Sequence, residues 1–396
     1  MPVSHRVGIY LGVVQFLFAL TWVIYVLYLP QLAAQAGIPK QYVLPILMLD
    51  QVIFAVMDLA CGVAADRVAR VTGRLGRAVL VVTLVSCAAF LALPFVAPGA
   101  GAPAFLALTV LWSASSSALR APPLVLLAKY TPAARQPWLA SLSLLGLGVA
   151  AGAAPYVGIA LAGVDARIPF AVASLALAAA TLAMLWAEKT LAGGAAPPHV
   201  PATGPAFDAL AAAFLAAVLL LALGTQMHFA LNTATQYLRF ATPAELPQLM
   251  PLFWLGFNVL MLPAGLASSR HRAIAVMAVA GLVGAAALYA AASAGSLAML
   301  VAAQLLAGGA WACVLAGAFG AALAIGRTGR EGAVTGGVFA LLAVATFARM
   351  AVVFAELNKD AQYAGLLAGA PIAAWLVAGL AAAAVAAVAH RSRRAR

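Results

Sequence analysis

The chain has 396 residues, 66% of them apolar and only 8% charged, and its mean hydropathy is +1.06. A soluble protein needs far more surface charge, so the composition excludes a soluble fold and predicts an integral membrane protein. The net charge of +12 would suit a nucleic-acid partner only if it were spread over a soluble face, and its distribution assigns it to membrane orientation instead.

At about 20 residues per crossing, the apolar pattern predicts an all-α protein of about twelve spans: 7–29, 42–65, 78–97, 104–127, 138–161, 168–187, 209–231, 249–267, 273–292, 296–324, 334–355 and 364–389. The first run is too long for a signal-peptide core and reads as a retained span. With both termini cytoplasmic, the outer loops hold Lys40, Arg167, Arg239 and Lys359 against Asp165, Glu245, Glu356 and Asp360, which cancel. The whole basic excess then falls on the cytoplasmic side, as the positive-inside rule requires. The expectation is a monomeric multi-pass protein among membrane lipid, with no nucleic-acid partner. Abundant Arg and scarce Lys hint at a GC-rich bacterium and hence an inner membrane. Cys61, Cys87 and Cys313 lie in separate apolar runs and read as small packing residues.

Span 1 carries Gln15, Thr21, Trp22, Tyr25 and Tyr28 in an otherwise apolar helix. Trp22 and Tyr25 share a face, with Gln15 two turns below. Tyr28 fits an aromatic belt, whereas Gln15 and Trp22 face either a cavity or a neighbouring helix. Span 2 holds Asp50 and Asp58 and runs into Gly62-Val-Ala-Ala-Asp66-Arg67-Val-Ala-Arg70, followed by Gly73-Arg74-Leu-Gly76-Arg77. Gly62 permits close helix approach, Asp66 caps the next turn or pairs with a basic group, and the arginines mark a cytoplasmic loop. This stretch resembles the loop between the second and third helices of major facilitator transporters, Gly-x-x-x-Asp-Arg-x-x-Arg. Asp58, one turn above the glycine, and the second arginine cluster are similar to the glycoside–pentoside–hexuronide cation symporters and the proton-coupled sucrose carriers. Phe54 stands where the sodium-coupled members have a second acid, and Arg77-Ala-Val replaces their Arg-Arg-Pro. The resemblance therefore implies proton rather than sodium coupling.

Span 4 contains Ser113 to Ser117, then Arg120 and a break at Pro122-Pro123; Lys129 stands where the sucrose carriers have an acid. Span 5, with Gly146, Gly148, Gly152, Pro155 and Gly158, is built for close packing and is loosely similar to the fifth helix of facilitator exporters. A polar linker at 188–208 divides a first half, 1–187, from a second, 209–396. Gly62-Val-Ala-Ala-Asp66-Arg67 aligns with Gly265-Leu-Ala-Ser-Ser269-Arg270 in the second half. Two pseudo-symmetric six-helix halves are the architecture of the major facilitator fold, with substrate bound between them.

In the second half, His228, Asn232 and Gln236 fall four apart and so on one helical face, next to Gln226. Trp254, Asn258, Gln304 and Trp311 follow. Each amide has a packing role available as an interhelical hydrogen bond; as a set with Gln15, Trp22 and Tyr25 they suggest a wet cavity. His228 is a candidate proton acceptor. No Walker motif, nucleophile–base pair or metal-ligand cluster is present, so an enzyme, a metal site and an organic cofactor are not expected. The reading is a secondary transporter driven by a proton or other ion gradient, a symporter for a small neutral polar solute such as a sugar. The alternatives are an exporter of amphipathic compounds and a non-transporting receptor or assembly factor.

Four charges fall inside the spans. Asp58 and Arg120 lie equally deep, roughly 24 Å from the outer face, and are expected to form a pair that couples protonation to transport, or a static one. Asp50 and Arg349 lie roughly 12 and 10 Å deep and are expected to meet as an outer gate between the two halves, only when the outside is closed. The local alternative is that Arg349 turns to Glu356.

Overall fold

The computed structural model describes residues 3–69, 74–193, 209–326 and 329–394. Arg70 and the greater part of the predicted linker, Asp208 included, lie outside these residues. Twelve helices among those described are long and apolar enough to cross a membrane: His5–Gln35, Lys40–Val68, Leu75–Val96, Gly101–Tyr130, Ala133–Ala160, Arg167–Ala192, Ala209–Tyr237, Pro243–Arg270, Ala273–Ala292, Leu297–Gly326, Glu331–Phe354 and Ala361–Val388. They correspond one for one to the twelve predicted spans and are numbered 1 to 12 accordingly. Helices satisfy their own backbone groups, which is why an apolar chain in lipid adopts them. Side chains such as Val56, Ile159, Val172, Val259, Val279 and Leu380 are left exposed, as lipid-facing positions should be.

Two spans depart from regular helix, both at polar residues. Span 4 consists of a helix Gly101–Ser116, a tight turn Ser117–Leu119 and a second helix Ala121–Tyr130. Pro122 and Pro123 occupy the first turn of that second helix, where their missing N–H groups cost nothing. Arg120 stands at the junction, with φ −94° and ψ −83°. Span 7 widens into a π-turn at His228–Asn232.

Spans 1 and 5, 3 and 4, 9 and 10, and 9 and 12 pack within the first or last six; spans 2 and 11, and 5 and 8, pack between them. Glycine makes the tightest of these approaches possible. A Cβ on Gly146 would strike Gly12 O, one on Gly256 would strike Leu305 O, and one on Gly308 would strike Phe253 O. The glycines that suggested an exporter-like fifth span are thus used in packing: Gly146 against span 1, and Gly148 against Phe257 and Asn258 of span 8.

The expected start of the linker at 188 needs correction. The helix Met184–Ala192 runs through it, and Glu188 is buried. Glu188 accepts a 2.8 Å hydrogen bond from Gly76 N at the start of span 3, so an acid that looks like linker charge serves as a remote helix cap. Lys129 Nζ donates to Ala69 O at the end of span 2. The two side chains therefore hold the two ends of the arginine loop.

Candidate functional site

Asp58 is fully buried in span 2 and forms an ion pair of 2.8 Å with Arg120 Nη1, through Oδ2. The helix break makes this geometry, because the turn at Ser117–Leu119 reorients the chain where Arg120 leaves it. Its guanidinium also lies 4.3 Å from the centre of the Phe54 ring and 5.9 Å from that of Phe18. Phe54 thus stabilises the cation with its π face. The other carboxylate oxygen, Asp58 Oδ1, is buried beside the hydroxyl of Ser117.

The same segment of span 2 is the seam with the second half. A Cβ on Gly336 of span 11 would strike Asp58 O, and one on Gly62 would strike Gly332 O. Gly332 and Gly336 form a small-xxx-small pair that brings the two backbones together. One turn further, Asp66 accepts hydrogen bonds from Gly332 N at 2.6 Å and Ala333 N at 2.8 Å. Through these two bonds it caps the start of span 11. A carboxylate at a helix N-terminus satisfies free N–H groups and complements the helix dipole. The repeat Gly265 to Ser269 does the same at spans 8 and 5: Gly265 packs on Ser141 and Trp138, and Ser269 Oγ accepts from Trp138 N at 3.2 Å. Both seams lie at the arginine-loop end, and the halves are sealed there. Arg67 is exposed beside them.

Asp50 and Arg349 are not brought together. Asp50 is fully buried and accepts from Tyr25 Oη at 2.9 Å and from Ser113 Oγ at 2.5 Å. Both its oxygens accept from hydroxyls of its own half, so the gate contact, expected only when the outside is closed, is not formed in this state. The local alternative is not formed either, since Glu356 pairs with Lys359 at 2.7 Å.

The predicted cavity residues divide into three groups. Tyr25 is buried and, with half-buried Trp22, joins an aromatic cluster with Phe54, Phe90 and Trp112. Trp112, which the sequence reading did not single out, contacts Trp22, Tyr25 and Phe90. In the second half, His228 Nε2 and Gln304 Oε1 lie 3.0 Å apart, and Gln304 Nε2 donates to Gln236 Oε1 at 3.1 Å. Asn232 turns elsewhere and donates to Leu367 O of span 12 at 2.9 Å. The expected single face of His228, Asn232 and Gln236 is broken because the π-turn inserts a residue into the spacing. The third group is mixed. Trp254 and Asn258 lie against Gly152 and Gly148 of span 5, with Asn258 Oδ1 buried and unpaired. Gln226 is half-buried and Gln15 buried, while Trp311 packs on Trp375 at 6.1 Å between ring centres.

Twelve spans, a break at the charged residue of span 4 and seams made by spans 2 with 11 and 5 with 8 define the major facilitator fold. Solved transporter structures agree over nearly the whole chain. The human organic anion transporter MFSD10 (TETRAN) superposes with a TM-score of 0.68 at 15% identity, covering 97% of this chain and 99% of that one. FucP, a major facilitator transporter in its outward conformation, gives 0.67 at 11% identity over 96% and 98%. A bacterial homologue of the iron transporter ferroportin, in an outward-facing state, gives 0.70 at 13% identity over 96% and 100%. No protein-family model and no curated protein matches the sequence. Identities this low establish the fold alone.

Proposed function

We propose that the chain is a secondary transporter that moves a small polar solute by alternating access, coupled to protons through Asp58. The observation that carries this reading is the double engagement of one stretch of span 2. Asp58 holds Arg120 through its side chain, while its carbonyl oxygen touches Gly336 of the opposite half. A proton reaching Asp58 removes the negative charge that holds Arg120, and Asp58 sits on the stretch of span 2 whose backbone forms the seam that must part for the loop end to open. Asp58 is fully buried and Arg120 largely so, and a cation in such a place is disfavoured once it is deprived of its partner. With the arginine loop cytoplasmic by the charge rule, the sealed end is the inner one and this state belongs to the outward side of the cycle. The resemblance to glycoside and sucrose carriers points to a sugar-like solute.

The test is uptake into proteoliposomes of a labelled panel of sugars and small polar metabolites, with and without an inward proton gradient. Accumulation of at least one solute that collapses with the gradient supports the proposal. Binding without flux for every solute would instead identify a receptor on a transporter fold, and uptake indifferent to the gradient would remove proton coupling.

A further inference from the structure

Among the described residues, each intramembrane or neighbouring acid that could neutralise Arg349 is engaged elsewhere. Asp50 is held by Tyr25 and Ser113, Asp58 by Arg120, and Glu356 by Lys359. Arg349 makes no hydrogen bond or ion pair with any described residue, and its Nε is buried without a partner. Protein atoms enclose that nitrogen, so the side chain is not simply stretched along a lipid-facing surface. Lysine in such a place can shed its proton, whereas arginine cannot, and an unpaired cation at membrane depth is costly. In this state the charge is therefore left for a partner that the polypeptide does not supply. Its planar fork of N–H donors matches an oxyanion in two-point contact. Span 11 also carries the seam glycines Gly332 and Gly336, so an anion bound at 349 acts on the helix that closes against span 2.

We infer that Arg349 anchors the oxyanion, carboxylate or phosphate, of an anionic solute. The inference rests on the transporter reading above and narrows its polar solute to an anion. Lipid headgroups offer the same phosphate chemistry, so the experiment separates the two sources. Thermal unfolding of lipid-depleted protein in a maltoside detergent is followed with millimolar benzoate, inorganic phosphate or the neutral isostere benzamide. At least one of the anions should raise the melting temperature by about 2–4 °C, the size expected for saturating occupancy of one site, and benzamide should not. Arg349→Gln should lose the shift while melting no lower than the parent without anion, since it removes an uncompensated charge. Arg349→Lys should keep part of the shift. The inference is overturned if neither anion shifts the parent, or if the shift survives in Arg349→Gln. It is equally overturned if Arg349-dependent stabilisation appears only on adding phosphatidylglycerol to phosphatidylcholine nanodiscs, which would assign the site to lipid. Because binding is read without transport, gradient-driven uptake with no anion effect would sink this inference and leave the transporter reading standing.

Discussion

Replacing Asp66 by asparagine removes a charge that ties the two halves together at the arginine-loop end. In the structure its two oxygens accept from Gly332 N and Ala333 N at 2.6 and 2.8 Å. Hydrogen bonds to a charged group contribute about 1.5–3 kcal/mol each, and the helix dipole adds about 0.3–1 kcal/mol. Asparagine still offers one acceptor oxygen, and Asp66 is only half-buried, so water screens part of the charge. A net loss of roughly 2 kcal/mol follows, which is about 30-fold in an equilibrium constant. This energy exists only while spans 2 and 11 are in contact, so it changes the ratio of sealed to open states more than the stability of each half. Spin labels at Ala64 and Ala324, both exposed at that end, report the separation once Cys61, Cys87 and Cys313 are replaced by serine. Asp66→Asn should move population into a longer-distance peak, and Asp66→Glu should restore most of the short one. An Asp66→Asn distance distribution identical to that of the parent would refute the reasoning, because the cap would then contribute nothing to closure.

Gly62→Ala should open the same seam by sterics, since its Cβ meets Gly332 O, whereas Gly158→Ala, with nothing near its Cβ, should be neutral or stabilising by about 0.5–1 kcal/mol; the spin-label pair and thermal unfolding distinguish them. Asp58→Asn alone strands Arg120 and should lower stability by about 3–5 kcal/mol, with Asp58→Asn/Arg120→Gln recovering much of it; unfolding by urea in mild detergent measures both. His228 is bonded to Gln304 in a buried packing contact, so His228→Gln should leave the pH profile of transport where it is, and a displaced profile would show that His228 titrates during the cycle.

The spans were legible because each is a long apolar run, and the Asp58–Arg120 pair because both charges had to lie at one depth and neither could remain alone. The break in span 4 was legible for a local reason, two adjacent prolines. Partners that depend on folding were not. Asp66 reaches backbone N–H groups 266 residues away, and backbone donors leave no mark in a sequence. Asp50 is satisfied by a tyrosine and a serine, which are too common in these spans to be singled out, although Ser113 stood in the conspicuous serine run. Glu188 looked like linker charge because its target, Gly76 N, is a backbone group on another helix. The face assigned to His228, Asn232 and Gln236 failed because a regular helical spacing was assumed across a π-turn. One signal was present and unused: Gly332 and Gly336, four apart in an apolar helix, have the spacing of a close helix contact.

The most direct test of the account is gradient-driven accumulation by Asp58→Asn in proteoliposomes, measured beside solute exchange in the absence of a gradient. The account predicts that accumulation is lost and exchange retained, because the carboxyl that takes the proton is gone while the solute path is intact. Accumulation that survives unchanged would show that the coupling proton travels by another group and that the Asp58–Arg120 pair only holds the helices together.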